Sequence, residues 1–240
     1  MTVEASPAAS ATQDGRRGMT TLVPADLFRL KALHDAVLAE PRTADLYVTR
    51  DCGFFARHLG WDGRVLGFID GLGDLVAYAV LGLPTPDAAD NLGHLIDLPR
   101  ARCAWVAHLD GTAIRANWRG QGLQRRFTAE RMAMARRQGR SLLLATCQPD
   151  NHWSLANLLE MGLVIMALRT KFNRPRLILG RDLHGTLVAF AGQAGPRVAV
   201  GDHAGHRRAL AHGWLGTAIV RDAAGTPTIV YDGVPTGDRA

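Results

Sequence analysis

The chain switches between two apolar periods, and the switches mark its elements. Leu27, Leu30, Leu33, Val37 and Leu38 recur at helical spacing behind Pro24, which suits a first helical turn. A second short helix is expected over 53–59. The period then shortens: residues 64–69 and 75–83 read as strands around the turn Asp70-Gly71-Leu72-Gly73-Asp74. Residues 85–100 predict a loop with a short helix near 88–96. Residues 104–114 form a strand-like run, 123–138 an amphipathic helix stopped by Gly139, and 142–146 a buried strand. The turn Pro149-Asp150-Asn151 opens a helix over 152–160, and 163–171 and 176–179 read as further strands. Alternating strands and helices predict an α/β fold with one mixed sheet covered on both faces.

The two ends differ from this middle. Residues 1–20 are rich in Ala, Ser and Gly without periodicity, and a disordered tail is expected there. The main domain is expected over 21–182. Residues 183–240 turn to glycine-rich β signals at 186–190, 197–200, 217–221 and 228–231, which predicts a β-rich C-terminal extension. Unpaired strand edges seek partners, so homodimerisation is expected through this extension.

Composition narrows the function. At 240 residues and 47% hydrophobic content, the chain can bury one substantial core. It has neither an apolar run near the ~20 residues of a membrane span nor a signal-like apolar start, so a cytoplasmic protein without a membrane partner is expected. Cys52, Cys103 and Cys147 are odd in number and lack CxxC spacing, which argues against a disulfide framework and a cysteine zinc site. His203, His206 and His212 match no common ligand spacing, and no metal is expected. The net charge of +6 is spread over separate pairs such as Arg125-Arg126 and Arg136-Arg137. That suits a solvated surface and an anionic cofactor better than nucleic acid.

The candidate chemistry sits between the 104–114 strand and the 123–138 helix, in Trp118-Arg119-Gly120-Gln121-Gly122-Leu123-Gln124. Two glycines allow a tight turn that brings backbone N–H groups to an anion, and the helix adds its unpaired N–H groups and the positive end of its dipole. The run lacks the Lys-Ser/Thr ending of a nucleotide triphosphatase loop and the third glycine of a dinucleotide fingerprint.

Arg119-Gly120-Gln121-Gly122-Leu123-Gln124, followed one strand later by Asn151-His152-Trp153-Ser154 and then Met161-Gly162-Leu163, resembles the GNAT superfamily of N-acetyltransferases. The resemblance spans about residues 62–182. It implies a mixed, mostly antiparallel twisted sheet flanked by helices, and acetyl-coenzyme A as cosubstrate. The pyrophosphate is then expected on Arg119, Gly120, Gln121, Gly122, Leu123 and Gln124, and pantetheine beside Thr112, Ala113 and Ile114, with Asn151, Ser154 and Asn157 on its other side. It implies an N-acetyltransferase acting by direct attack in a ternary complex, with a small-molecule amine or a protein amine as acceptor. The alternative is a non-catalytic coenzyme A-binding sensor or assembly module, since Leu158 stands where many members carry a proton-donating tyrosine. Gln124 also replaces a commoner Gly or Ala.

For the base, strand alternation places His108, Asp110, Thr112 and Ile114 on one face, so His108 or Asp110 is expected to deprotonate the amine. An equally open reading makes Asp110-Gly111 a bulge and His108 a satisfied buried imidazole. Backbone N–H groups near Ala113 and Ile114 are the expected polarisers of the thioester.

Overall fold

The apolar runs assemble into one ten-stranded sheet. The computed structural model describes residues 18–41, 46–185 and 194–233. In chain order these form β1 (Gly18–Thr21), α1 (Leu27–Leu38), α2 (Cys52–Leu59), β2 (Gly63–Ile69), β3 (Leu75–Gly82), α3 (Arg100–Cys103), β4 (Val106–Ile114), α4 (Leu123–Arg137), β5 (Leu142–Cys147), α5 (His152–Glu160), β6 (Val164–Lys171), β7 (Arg174–Asp182), β8 (Ala194–Ala199), α6 (His203–Ala211), β9 (Leu215–Arg221) and β10 (Pro227–Asp232). Their spatial order is β1-β2-β3-β4-β5-β7-β6-β9-β10-β8. Each neighbouring pair is antiparallel except β4 and β5, which run parallel. No helix among the described residues is long and apolar enough to cross a membrane.

The parallel pair is short. Val106 to Leu109 face Leu142 to Ala145, and pairing stops there. On its other side β4 carries a bulge: Leu109 lies opposite Leu81 and Gly111 opposite Val80, so Asp110 is the extra residue. The bulge bends β4 away from β5 and reverses its phase. Before it, Ala107 and Leu109 pack with Leu155 and Met132 on the α4–α5 side. After it, Ala113 joins Leu30, Phe55 and Tyr78 on the α1–α2 side, while Ile114 meets Leu123 and Phe127 of α4. The expectation of one common face for His108, Asp110, Thr112 and Ile114 is therefore corrected. Asp110 and His108 turn towards α2, where Asp110 meets His58, and Thr112 turns towards α4, where it meets Arg131.

Arg131 fixes this bend. It lies on the buried face of α4, 1% exposed. Its guanidinium donates to the carbonyls of Val80 (3.0 Å) and Gly111 (3.3 Å) and to Thr112 Oγ1 (3.0 Å). A buried charge is tolerable only when its donors are used this fully. Burial lowers its pKa to about 9, and the Asp110 carboxylate partly opposes that loss.

Two regions differ from the sequence expectation. Gly18 to Thr21, partly inside the expected disordered tail, pair with Ile69 to Leu66 of β2, because that edge offers unpaired backbone groups; residues 1–17 lie outside the described ones. In the C-terminal part, strands form at β8, β9 and β10, and the expected strand at 186–190 lies outside the described residues. Between β8 and β9 stands α6, a helix that the β-rich expectation did not include. Asp202 caps it, its carboxylate accepting from Gly205 N at 2.8 Å. His206 is fully buried and bonds the Tyr231 hydroxyl (2.8 Å) and the Val200 carbonyl (3.1 Å). Val198, Ala209, Ile229 and Tyr231 share one apolar cluster with Leu155 and Ile165, so this segment extends the main core.

His34 ties α1 to β3. Its Nε2 accepts from Arg50 N at 3.0 Å, which leaves the proton on Nδ1 to donate to the Tyr78 hydroxyl at 2.7 Å. Protonating Nε2 turns that acceptor into a donor facing an N–H group.

Arg131→Leu removes one partner of a buried polar network and is expected to cost about 3 kcal/mol or more in urea unfolding. Separately, burial lowers the His34 pKa to about 4. Between that value and the unfolded ~6.5 the unfolded chain binds the extra proton, so stability is complete above about pH 6.5 and falls as pH drops towards 4. His34→Gln is expected to flatten that part of a stability-against-pH curve.

Candidate functional site

The divergence of β4 from β5 opens a cavity of about 650 Å³. One wall is the glycine loop. Gly120 and Gly122 have φ of 75° and 73°, a region costly for residues with a Cβ. A Cβ built on Gly120 meets nothing within 4 Å, so the backbone conformation, not crowding, demands glycine. Among the described residues, no carbonyl accepts from the backbone N–H groups of residues 120–125; the first such bond beyond the loop is Arg126 N to Gly122 O at 3.1 Å. Six unpaired N–H groups thus gather at the head of a 15-residue helix, which makes an anion cradle.

The side chains around this loop hold its shape. Arg119 donates from Nε to the Ile114 carbonyl (3.0 Å) and from Nη2 to Glu40 (2.5 Å). Gln124, the departure from a usual Gly or Ala, links two helices: its Nε2 donates to Ser154 Oγ at 2.9 Å and its Oε1 accepts from Asn157 Nδ2 at 3.3 Å. Asn151 caps α5 by accepting from Ser154 N at 3.2 Å. Of the expected cofactor contacts, Thr112, Ile114, Arg119, Gly120, Gly122, Leu123, Gln124, Asn151, Ser154 and Asn157 line the cavity, whereas Ala113 and Gln121 do not. Among the described residues the β5-facing edge of β4 has no strand partner past Leu109, which leaves backbone groups facing the cavity apart from the Ile114 carbonyl that Arg119 engages.

Asp110 faces the cavity with its side chain 19% exposed, and two imidazoles stand behind it. His58 Nδ1 donates to the Phe54 carbonyl (2.8 Å), which turns Nε2 to Asp110 Oδ2 at 3.4 Å. His108 Nε2 accepts from Leu92 N (3.0 Å), so its Nδ1–H points to the same oxygen at 3.6 Å. Burial opposes ionisation of Asp110, but the two imidazoles outweigh it and hold the carboxyl well below the usual carboxylate range. His108 itself is 3% exposed and does not line the cavity. The expectation of His108 as a direct base is corrected on this geometry: it stands behind Asp110, out of reach of the cavity.

The candidate acids are weak ones. Burial pushes the Cys147 thiol up to about 12, against ~8.5 for an ordinary thiol. Donating its proton to a coenzyme A thiolate is uphill by about 5 kcal/mol. Burial drives the Tyr78 phenol upward too. Asn157 Nδ2 is engaged by Gln124 and by the Trp153 carbonyl, and Leu158 is an apolar lining residue.

The opposite wall escaped the sequence reading. Arg50, Tyr78, Lys171, Phe172 and Arg176 line it. The two-residue hairpin loop between β6 and β7 has Phe172 and Asn173 at φ 56° and 57°. Asn173 was a legible turn signal; that the turn points an aromatic ring into a cavity depends on the fold.

No protein-family model matches the chain, and no curated protein does. Its structure is similar to an N-acetyltransferase from Staphylococcus aureus, with a TM-score of 0.53 and 15% identity over 69% of this chain and 97% of the other. It is similar to a phosphinothricin acetyltransferase of Sinorhizobium meliloti in complex with acetyl-coenzyme A, with a TM-score of 0.53 and 16% identity over 71% and 90%. A third likeness is to an acetyltransferase of the GNAT family from Streptococcus pneumoniae, with a TM-score of 0.52 and 15% identity over 68% and 97%. With its splayed parallel pair, its bulged β4 and the glycine loop at the head of α4, the chain has the fold of the GNAT N-acetyltransferases.

Proposed function

We propose that the chain moves an acetyl group from acetyl-coenzyme A to an amine by direct attack in a ternary complex. One observation carries this reading: Gly120, Gly122, Leu123, Gln124 and Arg125, whose backbone N–H groups are unpaired, and the open edge of β4 line the same cavity. The first suits a pyrophosphate, and the second suits the amides of pantetheine, which take the place of a strand. Asn151 and Ser154 lie on the far side of that path. Open N–H groups of β4 between Asp110 and Ile114 polarise the thioester carbonyl, an arrangement that needs no side chain.

The acceptor enters as an ammonium and is drawn to the Asp110 carboxylate. With its low proton affinity, Asp110 acts by orienting the ammonium, and the proton leaves through water. The freed amine nitrogen bonds to the carbonyl carbon and gives up a second proton to water, the C–S bond breaks, and the thiolate takes a proton from solvent. The products are an acetamide, coenzyme A and one net proton. A thiol of pKa ~8.5 leaves as a thiolate readily enough for solvent to serve, so Leu158 in place of a tyrosine does not prevent the reaction.

Thiol release from acetyl-coenzyme A is expected to depend on added amine, and Asp110→Asn is expected to lower kcat/KM about 100-fold while binding of acetyl-coenzyme A persists. A chain that binds acetyl-coenzyme A but releases no thiol across aliphatic, aromatic and peptidyl amines would contradict acyl transfer. Full activity in Asp110→Asn would remove that residue from the mechanism.

A further inference from the structure

Three cations converge on one aromatic ring in the wall opposite the glycine loop. Arg50 Cζ lies 5.1 Å, Lys171 Nζ 5.3 Å and Arg176 Cζ 5.6 Å from the centroid of Phe172. Phe172 holds left-handed backbone geometry, which costs an aromatic residue about 1 kcal/mol or more. Glycine or asparagine forms such a hairpin more easily. The strain places the ring at the cavity wall, 41% exposed, with the cations around it.

Among the described residues these cations have no directly paired carboxylate, and Asp110 and Asp90 act on Arg50 and Lys171 only at longer range. Arg176 is 5% exposed, and its Nε has no hydrogen-bond partner. Among the described residues, no carboxylate lies within ion-pair distance of Arg50, Lys171 or Arg176, and none of the three charged heads donates a hydrogen bond. Cation–π contact with Phe172 recovers only part of the hydration that an enclosed guanidinium loses. Asp110, the anion of the same cavity, is already engaged by His58 and His108. The phosphate cradle is built from the far end of β4 and the head of α4, whereas this cluster belongs to the β6–β7 limb and to the segment before α2. The cavity therefore offers a carboxylate for an ammonium and, separately, an unused set of cations for an anion.

We infer that the acceptor is a small amine carrying a carboxylate, of the amino acid class, with its ammonium at Asp110 and its carboxylate at Arg176, Arg50 and Lys171. This rests on the acetyl-transfer reading and names the substrate class of that site. A planar guanidinium fork matches a carboxylate, and two such forks with a lysine beside them discriminate against the uncharged amide.

The test measures acetylation by the full chain of the common α-amino acids, their carboxamides, the corresponding aminoalkyl phosphonates and spermidine. At least one carboxylate is expected to show kcat/KM about tenfold or more above its carboxamide. Lys171→Gln, half-buried and so less demanding on folding, and Arg176→Gln are expected to raise KM for that carboxylate about tenfold. The carboxamide KM and the dissociation constant of acetyl-coenzyme A are expected to stay within about twofold. Carboxamides, phosphonates or spermidine used as well as or better than every carboxylate would overturn the inference. So would a chain that binds acetyl-coenzyme A and acetylates no carboxylate. If acetyl-coenzyme A does not bind, the acetyl-transfer reading fails, and NMR titration with glutamate, phenylalanine and their amides decides the carboxylate site alone: binding of the acids over the amides supports it, and equal or absent binding overturns it.

Discussion

The buried guanidinium of Arg131 is the constraint on which the cleft depends. It reaches from α4 to the carbonyls of Val80 and Gly111 and to Thr112, and so grips both strands at the β-bulge. Without those bonds, the buried guanidinium would lose the acceptors that make its burial tolerable, and the bulge would lose its tie to α4. With them, β4 bends after Leu109, and the parallel pair becomes a gap with an unpaired backbone edge. The same bend puts Asp110 into the cavity and turns Thr112 back to the helix that anchors it. One residue of α4 thus sets the geometry of the cavity both at the open edge of β4 and at Asp110.

Charge in the cavity is arranged in three separate places. The head of α4 supplies partial positive charge from backbone dipoles, which need no counter-ion of their own. Asp110 supplies a fixed negative charge, kept ionised by two imidazoles whose other nitrogens are committed to Phe54 and Leu92. The cations around Phe172 supply positive charge without a carboxylate at ion-pair distance among the described residues. Asp110 interacts with Arg50 and Lys171 at longer range and partly offsets the burial that lowers both their pKa values.

What was legible in the sequence was local. The Gly120-Gln121-Gly122 turn, the helix behind it and the Asn151 cap follow from conformational preferences of a few adjacent residues, and the structure has them in place. The strands of the main sheet followed from runs of β-branched and other apolar residues. What failed depended on contacts distant in sequence. Strand alternation gave His108 and Thr112 one face; the alternative of a bulge at Asp110-Gly111 was legible locally and is what forms, but the residue that holds it, Arg131 twenty positions on, was not. An arginine in an amphipathic helix reads as solvated until its turn of the helix is known to face β3 and β4. Likewise α6 was missed because glycines and scattered histidines drowned its capping signals, Asp202 and Gly213. The cation cluster draws on segments around 50 and 171–176, which only the closed sheet brings together.

The central claim is that this cleft holds an acyl-coenzyme A by its pyrophosphate at the head of α4. Isothermal titration calorimetry of the intact chain with acetyl-coenzyme A, set against acetyl-pantetheine, tests it most directly. The account predicts one-to-one binding of acetyl-coenzyme A and at least about tenfold weaker binding of the analogue, which lacks the groups that the unpaired N–H donors meet. No heat with acetyl-coenzyme A, or equal affinity for the two ligands, would contradict it.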